Sequence, residues 1–401
     1  MSGFLPVAQQ IAILTDGIDT LLPDDGLREL LELERPLRVK LGVDPTAPDV
    51  TLGWAVVFRL LRRFQDLGHI AVLIVGDFTA QVGDPSGKNE TRRRLDAAEV
   101  NGYVSDTIDT IRELLSNERL EIRPNSEWLG KMDMKDVLEL TSKFTIARIM
   151  DRDDFTKRWD QHEPISLIEF LYPLLQAMDS VAVKADIEIG GTDQLFNLLV
   201  GRDLQQYHGQ PPQAVMTVPL LVGTDGAKKM SQSLGNYISV KDEPAEIYGK
   251  TMSIPDDVME QWFVLAAGYS EKQAGEIAAA VAVGERHPGE TKRLLAREIV
   301  ALYWGAEAAE GAEAEFDLVF KARGTPEEIP SITLESAEDV YLPALLETAG
   351  LVASRSEGRR LIQQGAVKLD GEKLEEESLA AVTLTGRVIQ VGKRRFLRVE
   401  S

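Results

Sequence analysis

Residues 36–46, Pro-Leu-Arg-Val-Lys-Leu-Gly-Val-Asp-Pro-Thr, alternate polar and apolar as far as Val43 and then break into an Asp-Pro-Thr turn, the pattern of a strand running into a loop. From Gly53 to Leu67 the apolar residues Ala55, Val56, Phe58, Leu60, Leu61 and Phe64 recur at helical spacing, with Arg59, Arg62 and Arg63 between them. Gly68 ends the helix, and Ile70 to Val75 is then continuously aliphatic, as a strand buried on both faces requires. Strand, helix and strand in this order predict a Rossmann-type α/β unit with a parallel sheet. In such sheets the ligand lies outside the carboxyl ends of the strands, which puts Gly42 to Thr46 and Gly76 to Lys88 at the expected site.

Working outward, residues 93–165 read as mostly helical, best at Asp106 to Leu115 and Met134 to Met150, and suggest an insertion at about 95–165 within a domain of 1–240. Ala185 to Thr192 reads as a further strand and turn. Helix formers dominate from Glu243 to about Arg323, which suggests a separate helical domain at 241–330. The stretch from Ala322 to Ser331, with Gly324, Pro326 and Pro330 among charges, reads as a linker. From Leu342 onward two helices precede short strands, a small α+β domain at 338–401.

The 401-residue chain is 44% hydrophobic and 27% charged, near globular averages, and carries no apolar run long enough to span a bilayer. Met1 to Thr15 lacks the basic and apolar regions of a secretory signal, so a soluble, cytoplasmic protein is expected, with no membrane partner. Cysteine is absent, and His69, His162, His208 and His287 show no metal-ligand spacing, so no protein-bound metal is expected. A net charge of −21 excludes diffuse, whole-surface attraction to nucleic acid. Any RNA contact must be local. Arg355, Arg359, Arg360, Lys368, Lys373, Arg387, Lys393, Arg394, Arg395 and Arg398 supply a place for it, since they gather at the C-terminal end while the acidic surplus lies elsewhere.

Four motifs carry chemistry. Ala-Lys-Lys-Met-Ser-Gln-Ser-Leu-Gly-Asn-Tyr-Ile at 227–238 is a near copy of the Lys-Met-Ser-Lys-Ser loop by which class I aminoacyl-tRNA synthetases grip ATP. Gly83-Asp84-Pro85-Ser86-Gly87-Lys88 is one residue short of a P-loop and has Asn89 where that loop needs Ser or Thr. After a buried strand it still lets backbone amides approach phosphate, with Lys88 and Arg92 to neutralise leaving pyrophosphate. Tyr172, Gln176 and Asp179 stand at i, i+4 and i+7, on one helix face among apolar neighbours. Gly190-Gly191-Thr192-Asp193-Gln194 adds a strand-end turn with an acid and an amide, suited to ribose hydroxyls and an amino-acid headgroup.

Taken in order, these stretches resemble tyrosyl-tRNA synthetases of the bacterial type, from about residue 5 to the end. The resemblance implies a homodimer that uses ATP, with its accompanying Mg2+, to activate tyrosine for tRNA(Tyr). It implies that Tyr172, Gln176 and Gln194 hold the amino and carboxylate groups of tyrosine, that Asp179 accepts the phenol proton, and that Asp84, Thr79 and Lys40 complete the pocket. Gly42, Asp44, Gly53, Gly191, Asp193 and Met230 would lie against ATP. Thr46, Lys88, Arg92, Lys229 and Ser231 would surround its phosphates. Residues 351–370 resemble the S4-type RNA-binding module, with Arg355, Arg359, Arg360 and Lys368 as its basic face.

The pattern breaks where class I enzymes carry His-x-Gly-His, for here the chain reads Thr51-Leu52-Gly53-Trp54. Thr51 and Trp54 can each donate a hydrogen bond but neither can carry positive charge, and Gln232 replaces the signature loop's second lysine with a neutral donor. Losing one phosphate donor typically costs about 3 kcal/mol of transition-state stabilisation. A catalytically weakened or repurposed paralogue, binding RNA or tyrosine or activating another amino acid, is therefore the alternative to an active ligase.

Overall fold

The computed structural model describes residues 4–46, 49–84, 97–320, 329–334, 339–374, 376–392 and 395–400. The opening stretch folds as its pattern dictates. Strand β2 (Arg38–Val43) leads through the Asp-Pro-Thr turn into helix α1 (Leu52–Asp66), and β3 (Ile70–Val75) follows. Thr51 caps α1, its hydroxyl accepting the Trp54 N–H at 3.3 Å. The buried face of α1 carries Ala55, Val56, Phe58, Leu60, Leu61 and Phe64. Gly68 takes φ +97°, a left-handed conformation that suits glycine and turns the chain into β3.

With β1 (Thr20–Leu22), β4 (Leu120–Pro124), β5 (Ile187–Gly191) and β6 (Ala214–Val218), these strands form one sheet in the order β1-β6-β5-β2-β3-β4. All neighbours are parallel except β1, which pairs antiparallel with β6. From β2 the chain proceeds to β3 and β4 on one side and later to β5 on the other, so β2 and β5 flank the switch point, where ligands of such sheets bind. Strand β4 lies inside the stretch read from sequence as mostly helical. Its Leu-Glu-Ile-Arg-Pro sequence is short, charged and half-buried at the sheet edge, so it lacks the aliphatic signature of an inner strand. The described remainder of that stretch is mostly helical, beginning with Ala97–Leu114.

The chain divides into two compact units, Met1–Ala306 and Glu307–Ser401. Four helices, Pro244–Met252, Met259–Leu265, Glu271–Ala282 and Pro288–Trp304, belong to the first unit and bury Tyr248, Trp262, Phe263, Leu295 and Ile299. Arg59 on α1 ties to them by donating to the carbonyls of Leu265 at 3.1 Å and Ala266 at 2.8 Å. The second unit is α+β. A five-stranded sheet and two helices, Leu342–Thr348 and Arg355–Gln363, enclose Leu342, Leu346, Ile362, Val367, Ile389 and Val399. Among the described residues no helix is long and apolar enough to cross a membrane.

Candidate active site

At the carboxyl ends of β2 and β5 a cleft of about 1070 Å³ opens, lined by Gly42, Asp44, Thr46, Thr51, Gly53, Trp54, Thr79, Asp84, Tyr172, Gln176, Asp179, Gly191, Asp193, Gln194, Lys229, Met230, Ser231 and Gln232. Most residues singled out from sequence thus meet in one place. Lys40 lies behind it, and Lys88 and Arg92 fall outside the described residues.

Helix α2 (Leu167–Val183) brings Tyr172, Gln176 and Asp179 to the cleft on one face, as their spacing predicts. Asp179 is 3% exposed. The Trp128 indole N–H donates to its Oδ1 at 2.8 Å, and the Asn125 amide approaches Oδ2 at 3.5 Å. Burial pushes its carboxyl up to about 7, against the opposing pull of Lys40, Trp128 and Asn125. A carboxyl so placed is a selective acceptor for a hydroxyl donor.

Beside it a chain of hydrogen bonds runs across the sheet ends. The Tyr172 phenol donates to Asp44 Oδ2 at 2.8 Å, and the Thr79 hydroxyl donates to Asp44 Oδ1 at 2.7 Å. Asn125 in turn donates to Thr79 at 3.0 Å. Burial, reinforced by the Asp44 carboxylate, holds the Tyr172 phenol well above its ordinary value, so it stays a donor toward Asp44 and keeps its oxygen lone pairs. Gly76 makes room for this arrangement, because a Cβ there would lie 1.9 Å from Asp44 Oδ1 and 2.4 Å from the Thr79 hydroxyl.

Lys40 is fully buried and paired with Glu188 at 2.8 Å, where the β2–β5 register sets the two opposite each other. Its ammonium also donates to the Gln176 carbonyl at 3.0 Å and the Ser180 hydroxyl at 2.8 Å. Glu188 accepts the Gln176 side-chain amide at 3.2 Å. Lys40 therefore supports the cleft from beneath rather than facing its contents.

The other half of the cleft is built by the signature loop and the start of α1. Lys229 Nζ sits 2.6 Å from Asp193 Oδ2. The Ser231 backbone N–H donates to Asn236 Oδ1 at 2.9 Å, its hydroxyl shares a 2.9 Å bond with Ser233, and Gln232 donates its side-chain amide to the Asp49 carbonyl. The loop is laid against the altered motif, for the Leu52 N–H also donates to the Ile238 carbonyl at 2.9 Å, and Tyr237 donates to the Asp49 carboxylate at 2.8 Å. Thr51 is 2% exposed and its oxygen accepts the Trp54 N–H, which leaves its hydroxyl hydrogen and a second lone pair for a ligand. The Gly53 N–H makes no hydrogen bond among the described residues and remains available at the helix N-terminus. At Gly42 a Cβ would meet nothing within 4 Å, so the strand end opens onto free space.

In the second unit Arg355, Arg359 and Arg360 are exposed on one short helix, and Lys368 is half-buried on a neighbouring strand. Arg355 pairs with Glu347 at 2.9 Å, and Arg359 with Glu377 at 3.0 Å and the Tyr341 hydroxyl at 2.7 Å.

A model described as tRNA synthetases class I (W and Y) matches residues 32–321, and one for the S4 domain matches residues 342–379. Over 399 residues the chain is 47% identical to the tyrosine–tRNA ligase of Moorella thermoacetica, spanning 98% of this chain and 96% of that one. It is 46% identical to the tyrosine–tRNA ligase of Geobacter sulfurreducens, spanning 98% and 99% respectively. The crystal structure of tyrosyl-tRNA synthetase complexed with L-tyrosine from Archaeoglobus fulgidus superposes with a TM-score of 0.62 at 21% identity, over 77% of this chain and 99% of that one, which shows a shared fold. A class I synthetase sheet carrying this signature loop defines the broad class. The chain belongs to that class and, within it, to the tyrosine–tRNA ligase family of these relatives.

Five polar residues of the site escaped the sequence reading: Asn125, Trp128, Arg152, Glu188 and Asn197. Asn125 stands at the carboxyl end of β4, so recognising that strand would have marked it. Glu188 carried a legible signal, a single charge within an apolar strand, matched by Lys40 in β2. Arg152, Trp128 and Asn197 act through tertiary contacts that no local pattern announces.

Proposed function

We propose that the chain activates tyrosine with ATP, releasing pyrophosphate, and transfers the tyrosyl group from the adenylate to tRNA(Tyr). The observation that carries this reading is the buried Asp179 carboxyl, held by Trp128 and Asn125 in the same cleft as the signature loop. The tyrosine phenol donates to Asp179, and a substrate lacking that hydroxyl would leave a buried carboxylate unpaired. This family's preference for tyrosine over phenylalanine is itself the established example of that effect. At the other end of the amino acid, the Tyr172 oxygen, Gln176 and Asp84 accept from the ammonium, and Gln194 donates to the carboxylate.

No protein nucleophile is needed. The tyrosine carboxylate attacks the α-phosphorus of ATP, the bond to the β-phosphate oxygen breaks, and the protein's work is positioning and charge stabilisation. Asp193 and Gly42 face the ribose, so the nucleotide releases Lys229 from Asp193 toward the phosphates. Thr46, the Thr51 hydroxyl, the Gly53 N–H, the Trp54 indole, Ser231 and Gln232 supply neutral donors there, and Lys88 and Arg92 neutralise the leaving group. Mg2+ enters with ATP as part of the substrate.

The helical region at 241–330 serves the anticodon end of the tRNA, and Arg355, Arg359, Arg360 and Lys368 contact its backbone. The protein works in the cytoplasm as a homodimer, for which the exposed Met134, Leu138, Ile146 and Trp159 of the 95–165 stretch are available surface. The relatives are tyrosine–tRNA ligases, and nothing beyond the altered motif favours a weakened or repurposed paralogue. Charging of tRNA(Tyr) with radiolabelled tyrosine at micromolar enzyme tests the proposal. Ester-linked tyrosine should accumulate on the tRNA, and its absence would reject the ligase reading.

A further inference from the structure

Behind the cleft, Arg152 is 4% exposed, the guanidinium stacked over Phe155 with its carbon 5.1 Å from the ring centre. Its Nε donates to Asp154 at 2.7 Å and its Nη1 to the Asn197 side-chain oxygen at 3.0 Å. Its Nη2 makes no hydrogen bond among the described residues and stands 3.6 Å from Asp84 Oδ1. Asn197 then donates its amide to two glutamine oxygens, Gln176 Oε1 at 3.1 Å and Gln194 Oε1 at 3.0 Å. Each glutamine donates onward to a carboxylate, Gln176 to Glu188 at 3.2 Å and Gln194 to Asp84 at 2.8 Å.

The direction of this network follows from its ends. Guanidinium can only donate and carboxylate can only accept, whereas an amide side chain can turn either end toward a neighbour. Arg152 obliges Asn197 to present oxygen to it and NH2 to both glutamines. The glutamines must then present oxygen to Asn197 and NH2 to Asp84 and Glu188. If Asn197 turned over, its oxygen would confront both glutamine oxygens unless these turned as well, and their oxygens would then face the two carboxylates.

We propose that Arg152, acting through Asn197, is a positioning residue that fixes the amide orientation of Gln176 and Gln194 and so sets the headgroup end of the amino-acid site. This rests on the reading of that cleft as the tyrosine site. The consequence is a requirement for a donor-only side chain at position 152, rather than for a side chain of a particular size or polarity.

Calorimetric titration of tyrosine and, separately, of ATP into the full-length protein and three variants tests it. Arg152→Lys loses the stacking over Phe155 but remains donor-only, and should bind tyrosine more tightly than Arg152→Gln. Arg152→Gln can accept as well as donate, so position 152 no longer obliges Asn197 to present its oxygen there, and this variant should lose tenfold or more. Asn197→Asp keeps its pairing with Arg152 but removes both donors to the glutamines, and should lose affinity similarly, although simple charge attraction to the ammonium would strengthen binding. ATP affinity should stay within about twofold in all three, which a general loss of structure would not allow. Unchanged tyrosine binding in Arg152→Gln and Asn197→Asp, an Arg152→Lys as weak as Arg152→Gln, or a parallel loss of ATP affinity would overturn the inference. A parent protein that binds no tyrosine would instead overturn the reading of the cleft.

Discussion

Under the proposed function, Asp179 is the residue that decides selectivity. Its folded-state value of about 7 lies above the ordinary 3.8, so the fold prefers the neutral form. Its contribution to stability is fully present below the ordinary value and is lost as pH rises through about 7. Under the proposed function, a bound phenol reverses this preference by donating to the ionised form. Discrimination between tyrosine and phenylalanine should therefore grow between about pH 6 and about pH 8 and become flat in Asp179→Asn, which should also discriminate about 100-fold less and melt higher at the alkaline end. Equilibrium binding of both amino acids across that range, with melting curves beside it, checks the point. An undiminished preference for tyrosine in Asp179→Asn would refute it. Asp179 was legible in the sequence because helical spacing set it beside Tyr172 and Gln176. Its neighbours Asn125 and Trp128, more than fifty residues earlier in the chain, were not, because the fold alone brings them there.

Among the elements, β2 and β5 do most to place the site. Their register sets Lys40 against Glu188 beneath the cleft, with side chains 0% and 1% exposed. A fully desolvated pair is costly to break by removing one partner, because the other is left charged in the interior. Lys40→Met should cost about 3–5 kcal/mol of stability, and Lys40→Met with Glu188→Met should recover much of that loss. Urea denaturation measures both, and a double variant no more stable than the single one would contradict this account. Strands β2 and β3 and helix α1 could be read directly, since buried parallel strands and an amphipathic helix impose opposite periodicities on the sequence. β4 could not, because an edge strand with alternating charges looks like any exposed segment. Lys40 was placed in the pocket from resemblance, and the partner that turns it into a support, Glu188, lies 148 positions along the chain.

At the scale of the whole molecule, a chain of net charge −21 must handle two polyanions, ATP and tRNA, with local groups. The acidic surplus deters diffuse nucleic-acid binding, and the C-terminal basic face proposed for RNA is partly neutralised by Glu347 and Glu377. The overall order of sheet, helical region and α+β unit could be read from composition and periodicity. The point where the chain divides into compact units could not, because the helices of 244–304 bury their apolar faces within the first unit and leave no compositional mark of it. The central claim is that a motif without histidines still serves ATP through neutral donors at the start of α1 and on the loop laid against it. Tyrosine-dependent ATP–pyrophosphate exchange, with the native protein beside Thr51→His/Trp54→His, tests this most directly. Robust exchange by the native protein is the result expected, with the two histidines changing the rate by less than about tenfold. No exchange by the native protein, restored by the histidines, would contradict the account.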